Sequence, residues 1–250
     1  NANNADTVID ASGATVLPGL IDSHFHVAIG DYQPRQKVVD FIGSYVHGGV
    51  TSMISAGEIH TPGRPNDAAG VKALAIIAQR SFSVLHPDGA KVHAGAVVLE
   101  PTLQEKDFEE LAAEGIWLAK FGFGNYRDPY DGEPQIRWAQ KNGLKVMCHS
   151  GGASIPGSTA ISAEHLLRLK PDICGHVNGG PTALEDEGLR RLVSETDLYL
   201  QLVQAGNLRS SLFILGLAQE QGIMERIVIG SDTPTGTGVM PLGVVKTVTE

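Results

Sequence analysis

The sequence predicts an α/β protein built as a closed (β/α)8 TIM barrel, and three observations lead to that prediction. The chain has 250 residues, a usual length for such a barrel. Short apolar runs alternate with helical segments along nearly all of it, which is typical of a parallel sheet covered by helices. Side chains of the metal-binding type follow several of these runs at a regular interval of roughly 30 residues, the length of one βα unit.

Before the barrel, residues 1–15 resemble the end of a β-structure followed by a turn, with the sequence Val-Ile-Asp-Ala-Ser-Gly at residues 8–13. This stretch is too short to be a domain. We therefore interpret it as a linker that enters a larger domain at residues 16–250, and we expect that a longer protein has been trimmed at both ends.

Eight strands are predicted from apolar runs that lack polar alternation, as expected for strands buried on both faces. They cover residues 16–26, 49–56, 91–99, 116–121, 144–149, 172–177, 198–203 and 226–231. Helices are predicted between them at residues 36–47, 66–80, 103–114, 133–142, 160–170, 183–194 and 208–221, with an eighth starting near Pro241. An open doubly wound sheet is the main alternative, but no Gly-x-Gly-x-x-Gly follows the first strand.

Composition excludes several classes of function. The formal net charge of -9 argues against nucleic acid or an anionic membrane surface as a partner. No run of about 18 apolar residues exists that could span a bilayer. The two cysteines, Cys148 and Cys174, lie in predicted strands, which suits reduced thiols in the core. Since no secretion signal is visible, we predict a cytoplasmic protein.

The first predicted strand ends in His24-Phe25-His26. Residues i and i+2 of a strand point to the same side, so the two imidazoles face one way and could form half of a metal site. A His-x-His alone is a weak signal, because two unrelated polar residues at a strand end would look the same.

Four further residues strengthen the metal-site interpretation, since each lies at the end of a predicted strand. From His26, the intervals to Lys120, His149, His176 and Asp232 are successively 94, 29, 27 and 56 residues. These intervals correspond to three, one, one and two βα units. All these side chains are therefore expected at the carboxyl-terminal rim of the barrel, where barrel active sites lie.

This set resembles that of the amidohydrolase superfamily, and the segment Leu-Pro-Gly-Leu-Ile-Asp-Ser-His-Phe-His at residues 17–26 looks like the one with which chains of that family enter the barrel. The resemblance implies a metal-dependent hydrolase whose barrel is flanked by a β-sandwich, of which residues 1–15 would be the remaining end. It implies one metal on His24, His26 and Asp232, and a second on His149 and His176.

The resemblance also gives roles to Lys120 and Asp232. An ammonium cannot bind a cation, so Lys120 is expected to be carboxylated and to bridge the two metals as a carbamate. Asp232 is the expected catalytic acid and base for a hydroxide held between the ions. The residues alone suit Zn2+, Fe2+, Mn2+, Co2+ or Ni2+; the resemblance implies a pair of Zn2+ and Fe2+ and a homotetramer.

The residues directly after His149 narrow the choice of substrate. The segment His-Ser-Gly-Gly at residues 149–152 lacks the Glu of mononuclear deaminases in the superfamily, which favours a two-metal hydrolase of a cyclic amide. The glycine-rich segments at residues 149–158 and 176–181 resemble those of enzymes that hydrolyse 6-oxo-1,4,5,6-tetrahydronicotinate to 2-formylglutarate and ammonia in nicotinate degradation. Imidazolonepropionase-, dihydroorotase-, hydantoinase- or prolidase-like activity, or a non-catalytic scaffold, remain alternatives.

A carboxylate on that substrate predicts cationic or polar contacts on the rim. The candidates, each in or beside a loop that comes after a predicted strand, are His60, Arg64, Arg127 and Arg209. For each of them taken singly, a solvated surface side chain is the alternative.

Overall fold

The architecture is that of a computed structural model, which describes residues 6–27, 38–58, 63–153, 155–179, 182–234 and 240–250. Its strands are β1 (Leu20–Phe25), β2 (Val50–Ser55), β3 (Lys91–His93), β4 (Val97–Val98), β5 (Leu118–Phe121), β6 (Lys145–Cys148), β7 (Ile173–Cys174), β8 (Tyr199–Val203) and β9 (Ile227–Gly230). Its helices are α1 (Val38–His47), α2 (Ala68–Val84), α3 (Glu105–Ala113), α4 (Glu133–Lys141), α5 (Ala163–Leu169), α6 (Asp186–Glu195), α7 (Leu208–Gln221) and α8 (Gly243–Thr249).

All strand pairs are parallel, and they form two ladders in the orders β1-β2-β3 and β4-β5-β6-β7-β8-β9. The last strand returns to the first: the amide of Asp232 donates to the carbonyl of His24, and that of His26 to the carbonyl of Thr233, both at 2.9 Å. The sheet is therefore a closed barrel, as predicted, with a helix between each two consecutive strands except β3 and β4.

The third predicted strand, residues 91–99, is interrupted between β3 and β4. Gly95 has a φ of +98°, a conformation that L side chains rarely adopt. The Glu58 amide donates to the carbonyl of Ala96 at 2.9 Å, and the Glu58 carboxylate accepts the Gly95 amide at 2.5 Å. Glu58 therefore joins the end of β2 to this break and keeps the barrel continuous.

The core confirms for β5, β6 and β8 that the strands are buried on both faces. All four residues of β5 are buried, and so are the last three of β6 and the last four of β8. Their apolar side chains pack against the inner faces of α3 to α7. A second cluster around Phe25, Tyr45 and Met53 fills the barrel end formed by the first strands.

Several predicted elements are shorter than the sequence suggested, and two strands show this most clearly. The strand predicted at 172–177 covers only Ile173–Cys174, because His176 turns the chain with a φ of +37°. The first strand begins at Leu20, four residues later than predicted, and the exposed residues 6–19 form no strand. The assignment of residues 1–15 to a flanking sandwich stays a prediction. Among the described helices, none has the length and apolar character needed to cross a membrane.

Candidate metal centre

The six predicted ligands come together at the carboxyl-terminal end of the barrel. His24 and Lys120 lie in β1 and β5, and the other four come directly after a strand or within two residues of one. Because parallel strands present their carboxyl ends on the same rim, sequence positions more than 200 residues apart become neighbours. Their intervals along the chain predicted this convergence.

The first group of ligands consists of His24, His26 and Asp232. The Oδ1 atom of Asp232 lies 3.3 Å from Nε2 of His24 and 3.2 Å from Nε2 of His26. One potential ligand atom from each of the three residues lies within 4.8 Å of the others. Two imidazoles and a carboxylate aimed at one point fit a divalent transition metal.

The second group consists of His149 and His176, with Nδ1 of the former 3.0 Å from Nε2 of the latter. The ring centroids of His24 and His176 are 5.5 Å apart, so the two groups are adjacent. The structure therefore offers two neighbouring ligand sets, the arrangement that a binuclear site requires.

Lys120 lies in the same region with only 1% of its surface exposed. Its Nζ atom lies 3.5 Å from the sulfur of Met147 and 5.7 Å from the centre of the Phe123 ring. Burial lowers the pKa of Lys120 to about 8, against a partial opposing effect of Asp232. The neutral amine is the form that can react with CO2. At neutral pH a larger fraction of Lys120 is therefore in this form than of an exposed lysine.

The electrostatics favour protonation states of the candidate ligands in which they can bind a metal. Burial lowers the pKa of His24 and of His149 to about 4, and it lowers the pKa of His176 well below its usual range. Burial alone would raise the pKa of Asp232, but the imidazoles of His24 and His26 outweigh burial and bring it well below its usual value. Neutral imidazoles and an ionised carboxylate are what a cation binds.

The backbone is strained at two of the ligands. His176 has a φ of +37° and Asp232 a φ of +58°, although neither is glycine. Such left-handed residues are costly and persist where surrounding structure holds them, often at functional sites. At both positions the turn directs an imidazole or a carboxylate into the cluster instead of continuing the strand.

Comparison with known proteins agrees with this geometry. The chain is 49% identical over 241 residues to an enamidase of Eubacterium barkeri, covering 96% of this chain and 62% of the relative. A crystal structure of enamidase, presented as a new member of the amidohydrolase superfamily, superposes with a TM-score of 0.86 at 50% identity, covering 94% of this chain and 61% of that one. The chain belongs to the amidohydrolase superfamily.

Other comparisons add less. An adenine deaminase 2 of Rhizobium meliloti (strain 1021) is 31% identical over 194 residues, covering 71% of this chain and 31% of that protein. The 5-carboxyvanillate decarboxylase of Sphingomonas paucimobilis, with a TM-score of 0.56 at 14% identity over 88% of this chain and 79% of that one, shows the fold alone. No protein-family model matches. The chain spans about three fifths of the enamidases it matches.

Membership of the amidohydrolase superfamily implies divalent-metal binding, and the donor atoms of this chain fit it. The Nε2 atom of His24 and Oδ1 of Asp232, 3.3 Å apart, are the kind of acceptor pair that a shared cation brings together.

Two buried polar residues of this amidohydrolase were not anticipated from the sequence. Gln201, in the middle of β8, has its Oε1 atom 2.5 Å from Nδ1 of His24. Asp22 accepts the amides of His24 and Ser231 at 3.0 and 2.9 Å and the Ser231 hydroxyl at 2.5 Å, and burial raises the pKa of Asp22 to about 6. The sequence contains a sign of each role. Gln201 is a polar residue within an apolar strand. Asp22 lies two residues before His24, as His24 lies two residues before His26, so all three are expected to point to the same side of the strand.

The four candidate substrate contacts of this amidohydrolase are placed differently. His60 lies outside the described residues. The Arg64 guanidinium is nearly buried and donates to the Glu100 carboxylate and, at 2.6 Å, to the carbonyl of Phe123. Arg209 is exposed and pairs with Asp186 at 2.6 Å. Arg127 is exposed and forms no ion pair within the described part of the chain.

Proposed function

We propose that this chain is the catalytic barrel of an enamidase, a hydrolase of a cyclic amide C–N bond. The reaction opens the ring amide of 6-oxo-1,4,5,6-tetrahydronicotinate with one water, and a second water converts the resulting enamine to 2-formylglutarate and ammonia. The observation that carries the proposal is the 49% identity to an enamidase over 96% of the chain, and it is supported by the convergence of the six candidate ligands at one end of the barrel.

We further propose that the site holds one Zn2+ and one Fe2+, as the resemblance implies. His24, His26 and Asp232 would hold one ion, His149 and His176 the other, and Lys120 would bridge them as a carbamate. The burial of Lys120 and its lowered pKa support this. When bound, such ions supply Lewis acidity, which polarises an amide carbonyl and makes water more acidic.

Asp232 is the proposed proton carrier of the reaction. Its carboxylate is ionised at neutral pH, so it can accept the proton of the attacking water. The same oxygen can then donate this proton to the ring nitrogen as the C–N bond breaks, which avoids expelling an amide anion. The fixed left-handed turn at Asp232 holds the carboxylate on the side of the cluster from which it can make both transfers.

For the substrate carboxylate, Arg127 is the proposed partner among the three candidate arginines. The guanidinium groups of Arg64 and Arg209 are already engaged by Glu100 and Asp186. His60, which follows β2 in the sequence, stays a second proposed contact. The glycines of residues 149–158 would let the backbone approach a small planar ring closely.

A homotetramer and a cytoplasmic location are part of the same proposal, supported by the resemblance and by the buried free cysteines. A different cyclic amidohydrolase activity, of the imidazolonepropionase, dihydroorotase, hydantoinase or prolidase type, is the alternative. Because the chain is similar to an adenine deaminase, the test also includes deamination of a base. The sequence after His149 lacks the glutamate expected of mononuclear deaminases, which argues against this activity.

The test is an assay of the metal-loaded protein against a panel of cyclic amides and adenine, which follows the disappearance of each compound by liquid chromatography and also measures ammonia for those whose reaction releases it. The panel contains 6-oxo-1,4,5,6-tetrahydronicotinate, the same ring without its carboxylate, dihydroorotate, hydantoin, 4-imidazolone-5-propionate and adenine. We expect turnover of the first compound, a large loss when the carboxylate is missing, and none with adenine. Absence of turnover of the first compound by a protein that holds two metal equivalents would reject the enamidase assignment.

A further inference from the structure

β8 supplies no metal ligand, yet it places one polar side chain against the ligands. Gln201 is fully buried in the strand Tyr199–Val203, whose buried neighbours Leu200, Leu202 and Val203 are apolar. A buried amide must have its hydrogen bonds satisfied, or it destabilises the fold. The partners of Gln201 therefore indicate why a glutamine stands there.

The orientation of the Gln201 amide is fixed by two backbone groups, one of which can only accept a hydrogen bond and the other of which can only donate one. Its Nε2 atom lies 2.9 Å from the carbonyl oxygen of Ser23, which can only accept. Its Oε1 atom lies 3.3 Å from the backbone N–H of His176, which can only donate. The amide nitrogen therefore faces Ser23, and the amide oxygen faces His24 and His176.

This orientation determines the tautomer of His24. Because Oε1 of Gln201 can only accept, the Nδ1 atom of His24, 2.5 Å away, must carry the proton and donate it. The lone pair is then on Nε2, the atom that faces Asp232 at 3.3 Å. A metal-binding histidine needs this arrangement, with one ring nitrogen donating to a fixed acceptor and the other free to bind the cation.

The same oxygen also supports the second ligand group. It accepts the amide of His176, the residue whose left-handed φ of +37° turns its imidazole toward His149. We propose that Gln201 is a positioning residue for both metal subsites, fixing the tautomer of His24 and the turn at His176 through one amide oxygen. This inference rests on the proposed metal site and is independent of the substrate.

The experiment measures the zinc dissociation constants of the apoprotein by competition with a chelator for wild type and three variants. Gln201→Leu removes the amide, while Gln201→Glu keeps an acceptor toward His24. Gln135→Leu is the matched control, because Gln135 is also a buried glutamine, but on α4 with its Nε2 bound to the carbonyl of Leu103.

We expect Gln201→Leu to weaken zinc binding about 10- to 100-fold, the usual effect of losing a partner of a metal-binding histidine. Gln201→Glu keeps the acceptor for His24 but loses the donor to the Ser23 carbonyl, so it should recover part of the affinity, and Gln135→Leu should bind as the wild type does. Equal affinities in all four proteins, or an equal loss in Gln135→Leu, would overturn the inference.

A second measurement does not depend on the variants folding. In the zinc-loaded wild type labelled with 15N-histidine, long-range 1H–15N spectra should show His24 protonated at Nδ1 and bound through Nε2. A His24 bound to zinc through Nδ1 contradicts the inference. If zinc binds and responds as expected but 6-oxo-1,4,5,6-tetrahydronicotinate is not hydrolysed, the proposed function fails and the role of Gln201 stands.

Discussion

Among single residues, Lys120 is the one whose chemistry depends most on its surroundings. It is a buried lysine that forms no ion pair within the described part of the chain, and burial lowers its pKa to about 8. A lysine so placed destabilises the fold as an ammonium. Conversion to a carbamate between two cations would remove that penalty and turn Lys120 into a ligand.

The corresponding prediction concerns Lys120→Ala. We expect it to abolish hydrolysis and to lower the bound metal from two equivalents to one or fewer, because the bridge between the ions is lost. Elemental analysis and the ammonia assay measure these two effects. The control is Lys145→Ala, which removes an exposed lysine of the neighbouring strand β6 that pairs with Asp172. It should change neither the metal content nor the activity. A Lys120→Ala protein that keeps both metals and full activity rules out the bridging role.

Arg64 tests whether a rim arginine serves the substrate or the fold. Its guanidinium, 7% exposed, meets the Glu100 carboxylate, 0% exposed, and the carbonyl of Phe123. It thereby ties together the segments that come after β2, β4 and β5. Phe123 in turn packs its ring 5.4 Å from that of His149, so this ion pair is connected to a candidate ligand through Phe123.

We expect Arg64→Met to lower the free energy of unfolding in urea by about 3–5 kcal/mol, the usual effect of leaving a buried charge without its partner. The double variant Arg64→Met/Glu100→Gln should recover part of this loss. Arg209→Met, at an exposed pair, should lose less than about 1 kcal/mol. If Arg64→Met instead raised KM with unchanged stability, Arg64 would contact the substrate, as the sequence predicts.

At the scale of elements, the break in the third strand depends on Glu58. This carboxylate is 2% exposed and accepts the amide of Gly95 between β3 and β4. Burial raises the pKa of Glu58 to about 7 from its ordinary 4.5. The folded protein therefore binds a proton on Glu58 more tightly than the unfolded chain does. The contribution of Glu58 to stability is fully present below about pH 4.5 and is lost as pH rises through 7.

Glu58→Gln keeps the acceptor for Gly95 but cannot titrate. We expect the unfolding free energy of the variant, relative to that of wild type, to increase between pH 5 and pH 8 by up to about 3 kcal/mol, at about 1.4 kcal/mol per pKa unit. Urea denaturation at the two pH values measures it. Glu114→Gln, at an exposed carboxylate paired with Arg80, should show no such change. A constant difference for Glu58→Gln would show that Glu58 does not titrate in this range.

The elements also show how far the sequence could predict this molecule. The positions of the strands followed from the apolar runs. The placement of His149, His176 and Asp232 at strand ends followed from the length of a βα unit. Apolar runs and unit length are both local properties of the chain. The interruption at Gly95 could not be predicted, because it depends on a carboxylate from another strand. The buried ion pair of Arg64 could not be predicted either. An arginine in a loop is expected to be solvated unless the segments that cover it are known.

At the scale of the whole molecule, the candidate metal site lies where the first and last strands of the barrel meet. His24 and Asp232 are 208 residues apart in sequence. They are nevertheless neighbours in the structure, because His24 lies in β1 and Asp232 follows β9, which meets β1 at the closure of the barrel. A cation bound by both would cross-link the first and last strands. In an unfolded chain these ligands are far apart, so the ion would bind the folded state almost exclusively and stabilise it by mass action.

We therefore expect chelation of the metals to lower the melting temperature by roughly 5–10 °C, for about 2.7 kcal/mol of binding energy at 100-fold excess over the dissociation constant and about 2–4 °C per kcal/mol. Differential scanning calorimetry with and without Zn2+ measures this shift. Asp232→Asn should reduce it, because one of these two strands loses its ligand. Asp186→Asn, at an exposed carboxylate paired with Arg209, should keep the full shift. A shift unaffected by Asp232→Asn would mean that the stabilising ion is not bound between the first and last strands.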